Sequence, residues 1–384
     1  MAAGQAGAAH AALQHLRKEV PFLAGAVTAA VLFTVGAGWF EDPSHLTRSG
    51  LLFGWIFAVM LWCAFGVVRH ADHLARALGE PYGTLILTLA VITIEVSLIS
   101  AIMLTGSNNP TLARDTMFAV LMIVLNGMVG LVLLVGGIRH RQQHFNVAGA
   151  NAFLAVTVPL AVFALILPNF TTATPDPSLS PAQAAFFAGV TVVLYGVFLA
   201  IQTVRHRRMF VGPDVELAAL EEHDEDVDAP VGPVGPVAYH AVFLVATMLP
   251  IVLLSKKLAV FVDYGVLQLE APAALGGLIV ATLVLTPEAL SALHAALANR
   301  LQRSVNICLG SALATIGLTV PAVLAIGLLA GLHVELGLDP VEMILLVLTL
   351  LVSTLTFGSG RTNILQGAVH LVLFFAYLML IFEP

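Results

Sequence analysis

Charge is what this chain has least of. Only 10% of its 384 residues are Asp, Glu, Lys or Arg, against about 25% in ordinary soluble domains. That scarcity excludes a soluble globular fold, because too little polar side chain remains to cover a surface. Cysteine is nearly missing too. Cys63 and Cys308 both lie inside apolar runs, which excludes a disulfide framework or thiolate metal site and reads as small buried hydrophobes. There is no HExxH, no nucleophile elbow and no Walker loop, so metalloprotease, hydrolase and ATP-driven pump readings lack support. The net charge of −7 comes mostly from one acidic loop and gives no sign of nucleic-acid binding.

Apolar side chains are what is there, at 59%. Runs of roughly 18 to 25 apolar residues recur along almost the whole length, the pattern of membrane helices. The expected fold is an all-α integral membrane protein with about eleven spans, at 20–40, 51–70, 82–105, 115–138, 149–168, 182–204, 237–255, 273–297, 304–330, 340–357 and 362–382. Span seven is expected to run on past Lys256 and Lys257 as a tilted or interfacial helix through Val266. The first run follows Arg17 and Lys18 and could be mistaken for a signal peptide. Its length, and the polar EDPSH segment from Glu41, fit a first spanning helix better.

Basic residues give the orientation. Twelve fall on the side of the N-terminus: Arg17, Lys18, Arg69, Arg76, Arg139, Arg141, Arg205, Arg207, Arg208, Arg300, Arg303 and Arg361. Four fall on the other: Arg48, Arg114, Lys256 and Lys257. Positive charge stays cytoplasmic. The N-terminus is therefore expected in the cytoplasm and the C-terminus outside.

Two stretches are copies of each other. Residues 83–95 read GTLILTLAVITIE and residues 276–288 read GGLIVATLVLTPE, each ending on a glutamate twelve residues after its first glycine. The similarity extends onward: Asn126 follows Leu112 by fourteen residues, and Thr315 follows Leu301 by fourteen. Spans two to six and seven to eleven form two units of five. An odd number of spans makes the second copy enter the membrane inverted, the plan of many secondary transporters. The expected organisation is 1–49 as tail and extra helix, 50–207 as the first repeat, 208–236 as a linker and 237–384 as the second repeat. The linker carries eight carboxylates between Asp214 and Asp228. It reads as a solvated cytoplasmic connection, with a weak divalent-cation sensor as the sharper alternative; an EF-hand is excluded because its ligand spacing and central Gly are missing.

A carboxylate at bilayer depth costs about 3 kcal/mol on insertion scales, so it is rarely idle. Glu95 and Glu288 duplicated in this way point to one cation- and proton-binding site built from two halves. Thr88 and Thr93 accompany Glu95; Thr282, Thr286 and Pro287 accompany Glu288. Proline removes a backbone donor and frees carbonyls. Carboxylates, hydroxyls and loosened carbonyls are hard oxygen ligands, suited to Ca²⁺ or an alkali cation. Asn126 and Thr315 are candidates to line the site, with plain interhelical hydrogen bonds as the alternative. Ser311 lies on a small-residue face of the same span as Thr315. His294, six residues beyond Glu288, is a candidate for the proton path. His70 and His73, near Asp72 and Arg76, form either a metal pair or, more in keeping with a helix end, an interfacial polar cluster. His240, His333 and His370 draw no special reading. Asp263 and Glu270 stand where they could draw cations in. Arg114 and Arg303 read as anchors of helix ends. No cofactor is expected; the expected partners are inorganic cations, protons and the lipid bilayer, with no nucleic acid.

Three segments then carry a resemblance: GEPYGTLILT from Gly79 to Thr88 with Glu95, PTLARDT from Pro110 with Asn126, and Thr286-Pro287-Glu288 with LGSALAT from Leu309 to Thr315. They resemble the bacterial calcium/proton antiporters of the cation/calcium exchanger superfamily, closest to the Cha type, some of which also exchange Na⁺ or K⁺ for protons. The resemblance runs from about residue 50 to the C-terminus. It implies ten core helices in inverted five-helix repeats plus one extra helix, and Glu95 and Glu288 as the carriers of cation and proton. Better-known members place Gly-Asn just before each glutamate; here those places hold Val91 to Thr93 and Leu285 to Pro287, so that carboxamide ligand is absent. The Gly-Ser pair of the following span survives only as Gly310-Ser311. The expected activity is exchange of cytoplasmic Ca²⁺ for external H⁺, with Na⁺(K⁺)/H⁺ exchange as the alternative within transport and a membrane-embedded enzyme or scaffold outside it.

Overall fold

The computed structural model describes residues 19–40, 42–78, 82–105, 110–211, 236–268, 272 and 274–383. The linker carboxylates Asp214 to Asp228, the tail before Glu19, Glu270 and the side chain of Asp263 lie outside the described residues. Eleven helical segments follow one another: α1 Val20–Phe33, α2 Leu46–Leu78, α3 Tyr82–Thr105, α4 Leu112–His140, α5 Val147–Leu165, α6 Pro181–Arg205, α7 Val237–Gln268, α8 Ala274–Leu297, α9 Leu301–Ala330, α10 Pro340–Phe357 and α11 Ile364–Phe382. Each coincides with one of the eleven expected spans. Among the described residues, nine are long and apolar enough to cross a bilayer; α1 and the apolar Leu89–Ala101 part of α3 are shorter.

Local chemistry sets the ends. Asn146 accepts from the amides of Ala148 and Gly149 to start α5. Reciprocal capping boxes start α6 at Ser180 with Gln183, α10 at Asp339 with Glu342 and α11 at Asn363 with Gln366. Each satisfies amides that the first helical turn leaves without partners. Gly331 closes α9 at φ +67°, a left-handed conformation that glycine adopts without strain.

One expectation shifts and another is met. The first span is not helical through residue 40: α1 stops after 14 residues, and a 3₁₀ turn, Ala37–Phe40, follows. The Thr34 hydroxyl and Gly36 amide bond back to Ala30 and Val31 carbonyls and close the helix. At 1.5 Å per residue α1 is about 21 Å long, less than the ~30 Å hydrocarbon thickness. In contrast α7 continues unbroken through Lys256 and Lys257 to Gln268. The Lys257 ammonium sits 4.8 Å and 4.4 Å from the ring centres of Phe33 and Phe40, which lets an otherwise costly cation stay within a long apolar helix.

The helices form two compact units. One holds α1, α2, α3 and α7. There Gly25 is needed for close approach: a Cβ would lie 2.6 Å from Cys63 Sγ and 2.8 Å from Pro250 Cβ. Both cysteines are buried and free. The other unit holds α4 to α6 and α8 to α11. In it α8 packs along α4, α11 along the second half of α4, and α9 against α5 and α6. A two-residue antiparallel ladder, β1 Gln143–His144 with β2 Arg361–Thr362, ties the turn after α4 to the start of α11.

Candidate functional site

In the second unit, Glu288 lies half-buried on α8, one residue after the buried Pro287. Pro287 has no N–H to offer the carbonyl of Leu283, so that oxygen is left without its helical partner. The Ser311 hydroxyl of α9 donates to Glu288 Oε2 at 2.7 Å. Of the hydroxyls predicted around this glutamate, Ser311 is the one in direct hydrogen bond with it. Thr286 spends its hydroxyl on the Thr282 carbonyl of its own helix, at 2.6 Å, and Thr282 is exposed. Residues two apart on a helix point about 200° apart, so Thr286 and Glu288 face different ways. His294 is exposed in the last turn of α8. Among the other basic candidates, Arg303 is exposed.

Glu95, in the first unit, is 1% exposed. The same geometry separates it from Thr93, which is exposed and bonds the Leu89 carbonyl at 2.6 Å. Thr88 falls within α3, but its side chain lies outside the described residues.

Asn126 and Thr315 both fall in π-helical turns, Ile123–Met128 within α4 and Thr315–Thr319 within α9. Such turns interrupt the regular ladder and often mark functional positions. That the repeat-related residues share this irregular backbone is a feature composition alone could not show. The α4 turn packs against α8 and α9. Asn126 is fully buried and its amide donates to Thr349 Oγ1 at 2.8 Å. His370, also fully buried, stands 3.2 Å from Asn126 Oδ1 through Nδ1 and 3.0 Å from Thr356 Oγ1 through Nε2. The chain closes when Nδ1 carries the ring proton and Thr356 donates to Nε2. Thr315 is 1% exposed.

Sequence reasoning missed several groups. His370 joins Asn126 to α10 through a network that no local pattern announces. Asp115, 2% exposed, accepts from Arg114 Nε at 2.8 Å, and Arg114 also donates to the Gly337 carbonyl at 3.0 Å. These two, with Asp339, Glu342 and Tyr377, line a cavity of about 210 Å³. In the first unit, Glu19 is buried and pairs with Arg69 at 3.1 Å and His70 at 3.0 Å, while Tyr239 donates to it at 2.6 Å. His70 meets His240 at 3.0 Å, and His73 stacks on His240. The helix-end polar cluster around His70 and His73 thus has Glu19 at its centre. A lone acid preceding an apolar run carried no sign of this.

Among the described residues, eleven helical segments, nine of them spanning in length and composition, with acids embedded in α3 and α8, define a multi-pass membrane transporter. The sodium/calcium exchanger protein family matches residues 48–204 and 239–383, and the chain belongs to that family, in its Cha-type branch. It is 44% identical to the putative ionic transporter y4hA of Sinorhizobium fredii (strain NBRC 101917 / NGR234), over 87% of each chain. It is 43% identical to the sodium-potassium/proton antiporter ChaA of Escherichia coli (strain K12), over 84% of this chain and 86% of that one. The solved structure of native YfkE shares the fold, with a TM-score of 0.70 at 17% identity, covering 95% of this chain and 100% of that one. The chain is a cation/proton antiporter and not an enzyme.

Proposed function

We propose that this antiporter exports cytoplasmic Ca²⁺ in exchange for external protons, with Glu95 and Glu288 each holding cation and proton in turn. The observation that carries the reading is the environment of Glu288. A carboxylate oriented by the Ser311 hydroxyl, on a helix in which Pro287 withholds an amide from the Leu283 carbonyl, offers hard oxygen donors suited to Ca²⁺. Glu95 supplies the equivalent carboxylate of the other repeat. Proton and cation compete for the same oxygens. A loaded carboxyl, protonated or ion-paired, is close to neutral and crosses the low-dielectric interior cheaply. A bare carboxylate would cross at a high cost, so exchange is favoured over leak. The proposed organisation is two inverted repeats, 50–207 and 237–384, joined by the linker 208–236 and preceded by a tail and extra helix, 1–49. The proposed orientation, in a bacterial inner membrane, has the N-terminus cytoplasmic and the C-terminus external, as the basic residues indicate. Thr88, Asn126 and Thr315 are proposed as the outer lining and His294 as a station for protons; Thr93 and Thr286 face away from the glutamates and Thr282 is exposed.

A second reading is exchange of Na⁺ or K⁺ for protons. The name of the 43% identical relative, a sodium-potassium/proton antiporter, favours it, and so does the absence of the carboxamide before each glutamate. Cation-driven proton movement in everted vesicles, with Ca²⁺, Na⁺ and K⁺ tested separately, decides between them. Exchange at the lowest concentration with Ca²⁺ supports the first; exchange with Na⁺ or K⁺ and none with Ca²⁺ establishes the second.

A further inference from the structure

Two surface loops of the second unit are pinned together. One, between α5 and α6, carries Asp176; the other, between α9 and α10, carries His333 and Glu335. Ser178 and Glu335 form an isolated antiparallel bridge, and the amides of Leu336 and Gly337 both donate to the Pro177 carbonyl, at 3.1 Å and 3.0 Å. The Glu335 amide donates in turn to the Pro110 carbonyl at 3.0 Å. Backbone bonds therefore fix where the three side chains start.

Those side chains converge. His333 Nε2 lies 3.0 Å from Asp176 Oδ2 and 3.5 Å from Glu335 Oε1, and one donor atom from each residue lies within 4.8 Å of the others. The Ser178 hydroxyl donates to the other Asp176 oxygen, Oδ1, at 2.5 Å. It holds the carboxylate so that Oδ2 faces the imidazole. A cation bound about 2.1 Å from each donor sets tetrahedral neighbours about 3.4 Å apart, close to the two spacings from His333 Nε2. We propose that Asp176, His333 and Glu335 form a binding site for a borderline transition-metal dication such as Zn²⁺, Co²⁺ or Ni²⁺, with water completing the shell.

The donor set decides the class of ion. One imidazole with two carboxylates suits the borderline dications, whereas Ca²⁺, Na⁺ and K⁺ prefer oxygen alone. The site is thus chemically distinct from the one that carries cargo. His333 is exposed, with Asp176 and Glu335 half-buried, so a hydrated ion has open access and the fourth tetrahedral position stays with water. A bound ion would cross-link the loops that lead into α6 and α10. In the proposed orientation this face is external, where the ion would report metal outside the cell; binding itself does not depend on that orientation or on the ion transported.

The test uses the full-length protein in detergent micelles. Co²⁺ binding is followed by visible absorption, with Zn²⁺ as competitor, in the wild type and in His333→Gln and Glu335→Gln. The wild type should bind one equivalent more than either variant, and Zn²⁺ should displace it. Ser178→Ala should keep the site but weaken it about tenfold or more, the usual effect of losing a partner that orients a ligand. Identical isotherms in wild type and His333→Gln would overturn the proposal. A second measurement needs no variant: Zn²⁺ should protect His333 of the wild type from diethyl pyrocarbonate, read by peptide mass, and undiminished modification at saturating Zn²⁺ would overturn it as well.

Discussion

The hydroxyl of Ser311 donates to Glu288 Oε2 at 2.7 Å, joining α9 to the carboxylate of α8. A hydrogen bond to an ionised group contributes about 1.5–3 kcal/mol. Removing it in Ser311→Ala should weaken cation binding by roughly 10-fold or more, while Ser311→Thr, which keeps the hydroxyl, should stay near wild type. The cation dependence of exchange in everted vesicles reads this. An unchanged half-saturating concentration in Ser311→Ala would mean that the bond plays no part in holding the ion.

Gly277 lets α8 lie on α4. A Cβ there would stand 2.5 Å from the Asp115 carbonyl carbon and 2.6 Å from the Thr116 nitrogen. These are backbone atoms of a neighbouring helix and cannot swing aside. Gly277→Ala should destabilise the protein by about 1–3 kcal/mol. Gly54→Ala, where nothing lies within 4 Å, should not. Thermal unfolding in detergent compares the two, and equal midpoints would contradict the packing.

Asn126 and His370 should behave as a pair. Their contact, 3.2 Å between fully buried groups, links α4 to α11. A double-mutant cycle with Asn126→Ala and His370→Ala, read by unfolding in detergent, should show non-additivity of about 0.6 kcal/mol, the scale of such bonds between membrane helices. Strictly additive losses would show that the two act separately.

Much of this architecture was readable from the residues, and the physical reason is the solvent. A bilayer forces every backbone polar group into an internal hydrogen bond, so long apolar runs leave only helices, and the expected spans overlie α1 to α11. The register that aligned Asn126 with Thr315 likewise came from counting, and both residues occupy π-turns. What escaped were choices made between elements. Whether Thr286 turns to Glu288 or to its own helix depends on competition between a distant partner and a carbonyl four residues back. His370 gained its role from Asn126, and His333 from Asp176, neither near it in sequence. The early end of α1 rests on Thr34 and Gly36 closing back on the last turn, in a stretch whose hydropathy looks like more helix.

Orientation has a direct check. Twelve basic residues on one side against four on the other predict that reporter domains fused after Arg208 and after Pro384 lie on opposite faces, the first cytoplasmic. Fusions on the same face would contradict the inverted-repeat arrangement.

The central claim is that Glu95 and Glu288 hold cation and proton in turn. Gln keeps the size and one acceptor oxygen of Glu but cannot ionise, and a neutral amide at bilayer depth is cheaper than a carboxylate. The direct measurement is cation-driven proton movement in everted vesicles carrying Glu95→Gln or Glu288→Gln, with Ca²⁺, Na⁺ and K⁺ in turn. Each variant should insert and fold at wild-type levels and lose coupled exchange with every ion the wild type carries. Near wild-type exchange in either variant, with every such ion, would contradict the two-carboxylate account.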